Sequence, residues 1–178
     1  MKRFPLFIKL AGRRAVVLGG GEVGLRRARV LRDFGASVTV ISPMLSGPAE
    51  GMVYLPRRYQ EGDLEGAFLA VAAADHAEVN AAAGREARRL GILFNRSDCP
   101  ADCDFFFPAI CEGTGLTAGV VGDGADHHRT AEAARRVRAA LQELDDGKNT
   151  AFPGGGAGDC SPIQNAAPRS AEGDGACV

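Results

Sequence analysis

Apolar positions along the chain fall into short continuous runs separated by amphipathic stretches, the alternation that packs helices onto a parallel sheet. Ala15-Val16-Val17-Leu18 is an uninterrupted apolar run ending in glycines, which predicts a strand buried on both faces. From Glu22 to about Phe34, the residues Val23, Ala28, Val30, Leu31 and Phe34 supply one apolar helix face, and Gly35 supplies a stop. The β-branched run at 37–41 predicts a second strand. Strands three and four are predicted at 52–55 and 68–72, an Ala- and Arg-rich helix at 78–90 closed by Gly91, and strand five at 92–94. The pattern then changes. Residues 105–110 and 116–121 read as two further strands across the turn Glu112-Gly113-Thr114-Gly115, either a hairpin or a sheet that pairs with another chain. A last helix is predicted from about Asp126 to Leu144, with Ala131, Ala134, Val137, Leu141 and Leu144 as its apolar stripe. Beyond Asp145, Gly and Pro punctuate a stretch without apolar periodicity; it is expected to be disordered, because it buries too little surface to offset its ordering entropy.

The chain has 178 residues, room for one compact domain and a small second unit. Aromatics are 6% and Trp is absent, so the core must be aliphatic. With 21 basic and 22 acidic residues, the net charge of −1 argues against non-specific nucleic-acid binding. The basic residues are nearly all Arg, which favours bidentate contacts with carboxylates and phosphates, although a G+C-rich genome produces the same bias. No run reaches the ~20 apolar residues of a membrane span, and the apolar start is interrupted by Lys9, so no membrane partner and a cytoplasmic location are expected. The five cysteines (Cys99, Cys103, Cys111, Cys160 and Cys177) include no closely paired ligands and are expected as reduced thiols without a metal.

Gly19-Gly20-Gly21-Glu22-Val23-Gly24 fits G-x-G-x-x-G, directly after a predicted strand and directly before a predicted helix. In that context Gly19 permits the tight turn, Gly21 lets the backbone approach a pyrophosphate at the helix N-terminus, and Gly24 allows close packing. The expectation is an α/β fold with a Rossmann-type parallel sheet binding NAD at 1–111, a small α+β dimerisation region at 112–145 and a disordered tail at 146–178. The cofactor-binding set is Gly19, Gly21, Glu22, Val23 and Gly24, with Ser42 and Pro43 after strand two and Ala73 after strand four. An acidic residue to hold the ribose hydroxyls is missing after strand two. Ser42 can hydrogen-bond a ribose but does not repel a 2′-phosphate, so NAD and NADP are not separated by these residues.

The opening Phe4-Pro5-Leu6-Phe7-Ile8-Lys9-Leu10-Ala11-Gly12-Arg13, the glycine loop with Arg27-Ala28, and the stretch from Asp63 to Asp75 with Asn80 resemble the precorrin-2 dehydrogenases. So do Phe94-Asn95, Asp98 and Cys103-Asp104-Phe105-Phe106-Phe107-Pro108-Ala109-Ile110. These enzymes form the N-terminal module of sirohaem synthases and also occur alone; the resemblance spans nearly all of 4–144. It implies NAD-dependent oxidation of precorrin-2, a tetrapyrrole, to sirohydrochlorin by a homodimer. In some members it extends to insertion of ferrous iron as a chelatase substrate. It also implies a catalytic role for Asp98, where a carboxylate could take a proton; the competing reading is that Asp98 caps the turn before Pro100. The substrate's carboxylates point to Arg96 as a ligand, while Arg129, Arg135, Arg136 and Arg138 on the last helix also fit a solvated face.

Before the last helix the chain departs from the family. A Ser- and Gly-rich turn is replaced by Gly122-Asp123-Gly124-Ala125-Asp126-His127-His128. Either Asp126 caps the helix beside an exposed His pair, or His127 or His128 assists metal delivery or proton transfer. Both are weak metal candidates, since adjacent helix residues point about 100° apart. From a different class, a non-catalytic nucleotide-sensing module is the alternative, and Asp98 discriminates, because a sensor needs no carboxylate there.

Overall fold

The computed structural model describes residues 3–124 and 126–146; the expected tail, apart from Asp146, lies outside them. The elements run β1 (Arg14–Leu18), α1 (Glu22–Asp33), β2 (Ser37–Ile41), β3 (Val53–Leu55), β4 (Leu69–Ala72), α2 (Ala77–Leu90), β5 (Leu93–Arg96), β6 (Ala109–Gly113), β7 (Leu116–Val120) and α3 (His127–Asp145). A single 3₁₀ turn, Pro100–Asp102, follows β5.

The first five strands form one parallel sheet in the order β3-β2-β1-β4-β5. β4 throughout and β1 after Arg14 are apolar at every position because both faces are covered. On one face Leu25, Ala28 and Leu31 of α1 pack against Ala15, Val17, Val38, Val40, Leu69 and Val71. On the other, Ala83 and Ala87 of α2 pack with Leu64 against Val16, Leu18, Ala70, Ala72 and Phe94. Both helices stop as their sequences predict. Gly35 (φ +84°) and Gly91 (φ +66°) take the left-handed conformation; Gly35 and Ala36 donate to the Arg32 and Leu31 carbonyls, and Gly91 and Ile92 to those of Arg88 and Ala87.

No helix joins β3 to β4; a chain of turns does so instead. Leu64 from this connection is fully buried, and Arg14 donates to the carbonyls of Asp63 and Glu65 to hold it. The connection is bound to α2 through the buried Glu86 carboxylate, which accepts from the Tyr59 hydroxyl and the Gly62 amide.

The aromatic run requires a correction. Residues 105–108 are not a strand; β6 begins only at Ala109 and runs to Gly113. Phe105 and Phe107 are apolar because they lie over the α1 face of the sheet, and the Phe105 carbonyl accepts from Asn95 Nδ2 at 2.7 Å rather than from a partner strand. This extended segment leads from the sheet into β6. Beyond it, β6 and β7 form an antiparallel hairpin over the two-residue turn Thr114-Gly115. The hairpin packs on α3 through the buried Cys111, through Arg138 donating to the Ile110 carbonyl, and through Asp145 accepting from the Thr114 amide at 2.9 Å.

Candidate cofactor and catalytic site

The strand order reverses between β1 and β4, and ligands of open parallel sheets bind at the carboxyl edge of such a switch point. The glycine loop follows β1 there. Gly19 has φ +105°, and a Cβ on it would stand 2.2 Å from the Ala73 carbonyl oxygen after β4. A Cβ on Gly20 would stand 2.2 Å from the Met44 carbonyl oxygen after β2, and one on Gly24 2.1 Å from the Gly19 carbonyl oxygen. These three glycines are demanded by the packing of the loop itself. Gly21 is different. Its backbone is extended (φ −71°, ψ 176°), a conformation open to any residue, and a Cβ there would meet no atom within 4 Å. Nothing in the protein requires a glycine at the mouth of α1. The open space beside its free N–H groups suits a pyrophosphate, which would need that room. The residues present therefore fit a dinucleotide.

Glu22 and Val23 are exposed on the first turn of α1. Ser42 is buried, and its hydroxyl donates to the Met44 carbonyl at 2.7 Å, so it shapes the loop after β2. Pro43 is exposed next to it, and its carbonyl accepts from the Tyr54 hydroxyl at 3.2 Å. Ala73 lies between the loops, its amide bound to Leu18 and its carbonyl against Gly19. Glycine loop, Ser42, Pro43 and Ala73 thus line one edge of the sheet.

Asp98 lies at the same edge, in the loop after β5. Arg96 grips it with two parallel bonds, Nε to Oδ1 at 2.7 Å and Nη2 to Oδ2 at 3.1 Å. The same guanidinium donates from Nη1 to Asp102 Oδ2 at 2.8 Å and from Nη2 to the Ala77 carbonyl at 3.3 Å. Arg96, expected to meet a substrate carboxylate, is thus already engaged by two of the chain's own. Its hydrogen bond is the foremost reason that the Asp98 carboxyl sits below the ordinary carboxylate range, with a bond from Asn80 adding to it against the opposing effect of desolvation.

Asn80 carries no functional signature of its own in the sequence. The structure buries it completely and uses its amide to bind both polar atoms of the Ala74 backbone, at 3.0 and 2.9 Å. One side chain on α2 therefore holds the loop that abuts the glycines and also helps to keep the pKa of the Asp98 carboxyl low. The signal was an uncharged polar residue among the buried Ala and Gly positions of the helix, which also buries Glu86. Asn95, also buried, joins Phe105 to Arg27, whose guanidinium reaches Asn95 Oδ1 at 2.8 Å and lies over the Phe107 ring. Burial is the leading cause that lowers the Arg27 pKa.

His127 and His128 are exposed on the first turn of α3, away from Asp98 in the chain, and Asp126 caps that helix by accepting from the Arg129 amide at 2.8 Å. Arg135 and Arg136 pair with Glu132 on the helix surface. A separate cavity lined by Tyr59, Glu61, Arg85, Glu86 and Arg89 lies on the outer flank of α2 and contains none of these residues.

A parallel sheet in this order, with a glycine loop at its switch point and a helix N-terminus opening beside it, defines a Rossmann-type dinucleotide-binding domain. Residues 6–109 match the family model described as "Putative NAD(P)-binding", and the chain belongs to that family. Among curated relatives, it is 35% identical over 150 residues to the probable multifunctional siroheme biosynthesis protein HemA of Ruminiclostridium josui, covering 80% of this chain and 29% of that protein. It is 36% identical over 168 residues to the siroheme synthase of Azotobacter vinelandii (81% and 36%) and 40% identical over 148 residues to that of Pseudomonas aeruginosa strain PAO1 (80% and 31%). The chain thus spans about a third of the length of these relatives. Among solved structures, "SirC, precorrin-2 dehydrogenase" shares the fold with a TM-score of 0.65 and 23% identity, over 81% of this chain and 74% of that one.

Proposed function

We propose that this chain oxidises precorrin-2 to sirohydrochlorin with NAD. The observation that carries the reading is the juxtaposition of an ionised carboxylate, Asp98, and a dinucleotide cradle at Gly21 on one sheet edge. The resemblance and the names of the siroheme synthases and of SirC support the substrate class.

The reaction removes a hydride and a proton from the macrocycle. NAD, when bound, supplies the hydride acceptor. Gly19, Gly21 and the first turn of α1 would hold its pyrophosphate, with Ser42 and Pro43 available to its ribose. Asp98 takes the proton; its carboxylate is part-exposed at the edge and ionised well below neutrality, so it stands ready as an acceptor. Ferrous iron enters this proposal only as the substrate of a second, chelatase step, in which Asp98 would again accept protons. We further propose a homodimer built on the hairpin and α3, supported by the exposed Leu116, Val121 and Leu144 and by Phe4, Leu6 and Phe7 nearby in the N-terminal segment.

The test is anaerobic turnover of precorrin-2 by the wild-type protein and by Asp98→Ala. The variant is expected to bind NAD as the wild type does and to lose roughly 10²–10⁴-fold in rate. A fully active variant removes Asp98 from the chemistry.

A further inference from the structure

We propose that Arg96, clamped between Asp98 and Asp102, is a positioning residue that orients the Asp98 carboxylate toward the substrate and is not itself a substrate ligand. The inference rests on the role given to Asp98 above. Its basis is geometric. The Arg96 side chain is only 13% exposed whereas that of Asp98 is 36% exposed, so the guanidinium is the inner partner and the carboxylate the outer one. The bidentate grip fixes the carboxylate plane yet spends one lone pair on each oxygen, leaving the others toward solvent.

The clamp is itself held on three sides. The Arg96 amide donates to Cys103 Sγ at 3.2 Å, and that thiol donates back to the Arg96 carbonyl at 3.2 Å. The 3₁₀ turn returns the chain so that Asp102 meets Nη1, and the start of α2 meets Nη2 through Ala77. The groups that face Asp98 are Arg96 from β5 and the uncharged Asn80 from α2; Asp102 of the turn acts on it through Arg96. With all but one of its side-chain N–H groups bonded inside the protein, Arg96 could grip a substrate carboxylate with two bonds only by breaking its own ion pairs.

A substrate ligand and a positioning residue differ in what they change. A ligand alters KM. A positioning residue alters kcat, and here also the acid limb of its pH profile, because removing the guanidinium lets the Asp98 carboxyl titrate at higher pH. The experiment compares wild type, Asp98→Asn, Arg96→Gln, Arg96→Lys and Asp102→Asn in anaerobic turnover of precorrin-2 with NAD, with NAD titration reporting that each variant folds.

Arg96→Gln is expected to lower kcat roughly 10- to 100-fold, the scale of a misplaced catalytic group. It should also move the acid limb upward and leave KM for precorrin-2 within about twofold, on the same scale of a positioning effect. Arg96→Lys keeps the charge but not the fork and should recover part of kcat. Asp102→Asn frees only Nη1 and should cost kcat several-fold with KM unchanged; it also serves if Arg96→Gln does not fold. A raised KM with kcat and acid limb unchanged in the Arg96 variants overturns the proposal, as does an unchanged kcat in Asp102→Asn. A fully active Asp98→Asn instead removes the underlying role of Asp98, a failure separate from either.

Discussion

Gly21 and Gly24 stand three residues apart in one glycine motif, and the protein constrains them in opposite ways. A Cβ on Gly24 collides with the Gly19 carbonyl, so Gly24→Ala must displace the turn; overpacking of this kind costs about 1–3 kcal/mol and should lower the denaturation midpoint. A side chain on Gly21 meets open space. Gly21→Asp should therefore leave thermal stability near wild type and abolish NAD binding by calorimetric titration, because a carboxylate would occupy the phosphate position. Retained NAD affinity would remove the loop from the cofactor site. Asn80→Ala should cost about 1–3 kcal/mol by leaving the Ala74 backbone unpaired, and should weaken NAD binding, since the loop that abuts Gly19 hangs from that amide. Asp63 tests the electrostatics. Arg57 and, after it, the Gln60 amide hold the Asp63 carboxyl below 3.8. Its stabilising contribution is therefore complete above the ordinary value and lost as pH falls through the lower folded value. Asp63→Asn should remove that part of the acid sensitivity, so the stability gap between variant and wild type narrows at low pH. A gap independent of pH would contradict the assignment.

At the level of elements, the strands of the sheet were legible because burial on both faces writes itself as continuous aliphatic sequence, as in β1 and β4. The helix ends were legible from Gly35 and Gly91. The aromatic run misled because three consecutive Phe residues satisfy a strand pattern equally well when they cover a sheet flank as an extended segment. The clamp on Arg96 was not legible at all. It depends on a 3₁₀ turn that brings Asp102 beside Arg96, and spacing along the chain says nothing of that return. The helix-free connection between β3 and β4 relies on a similar long-range bond. Burial and the neighbouring Glu86 raise the Tyr59 hydroxyl's pKa, so it stays a donor at ordinary pH. Tyr59→Phe should strand one oxygen of Glu86 and cost about 1–3 kcal/mol, read by chemical denaturation; no loss would mean the connection is held by Leu64, Arg14 and the Gly62 amide without Tyr59.

For the whole molecule, the sheet domain supplies the cofactor edge, and the hairpin with α3 supplies the surface that we assign to self-association. Light scattering at micromolar concentration should give about twice 18.5 kDa, and a monomer would contradict the assignment. The central claim is chemical, and one stoichiometry tests it most directly. Under argon, the protein with precorrin-2 and NAD should form one NADH for each sirohydrochlorin, followed by their separate absorbances, because one hydride and one proton leave each macrocycle. Precorrin-2 left unchanged while NAD binds, or sirohydrochlorin formed without NADH, would contradict the account.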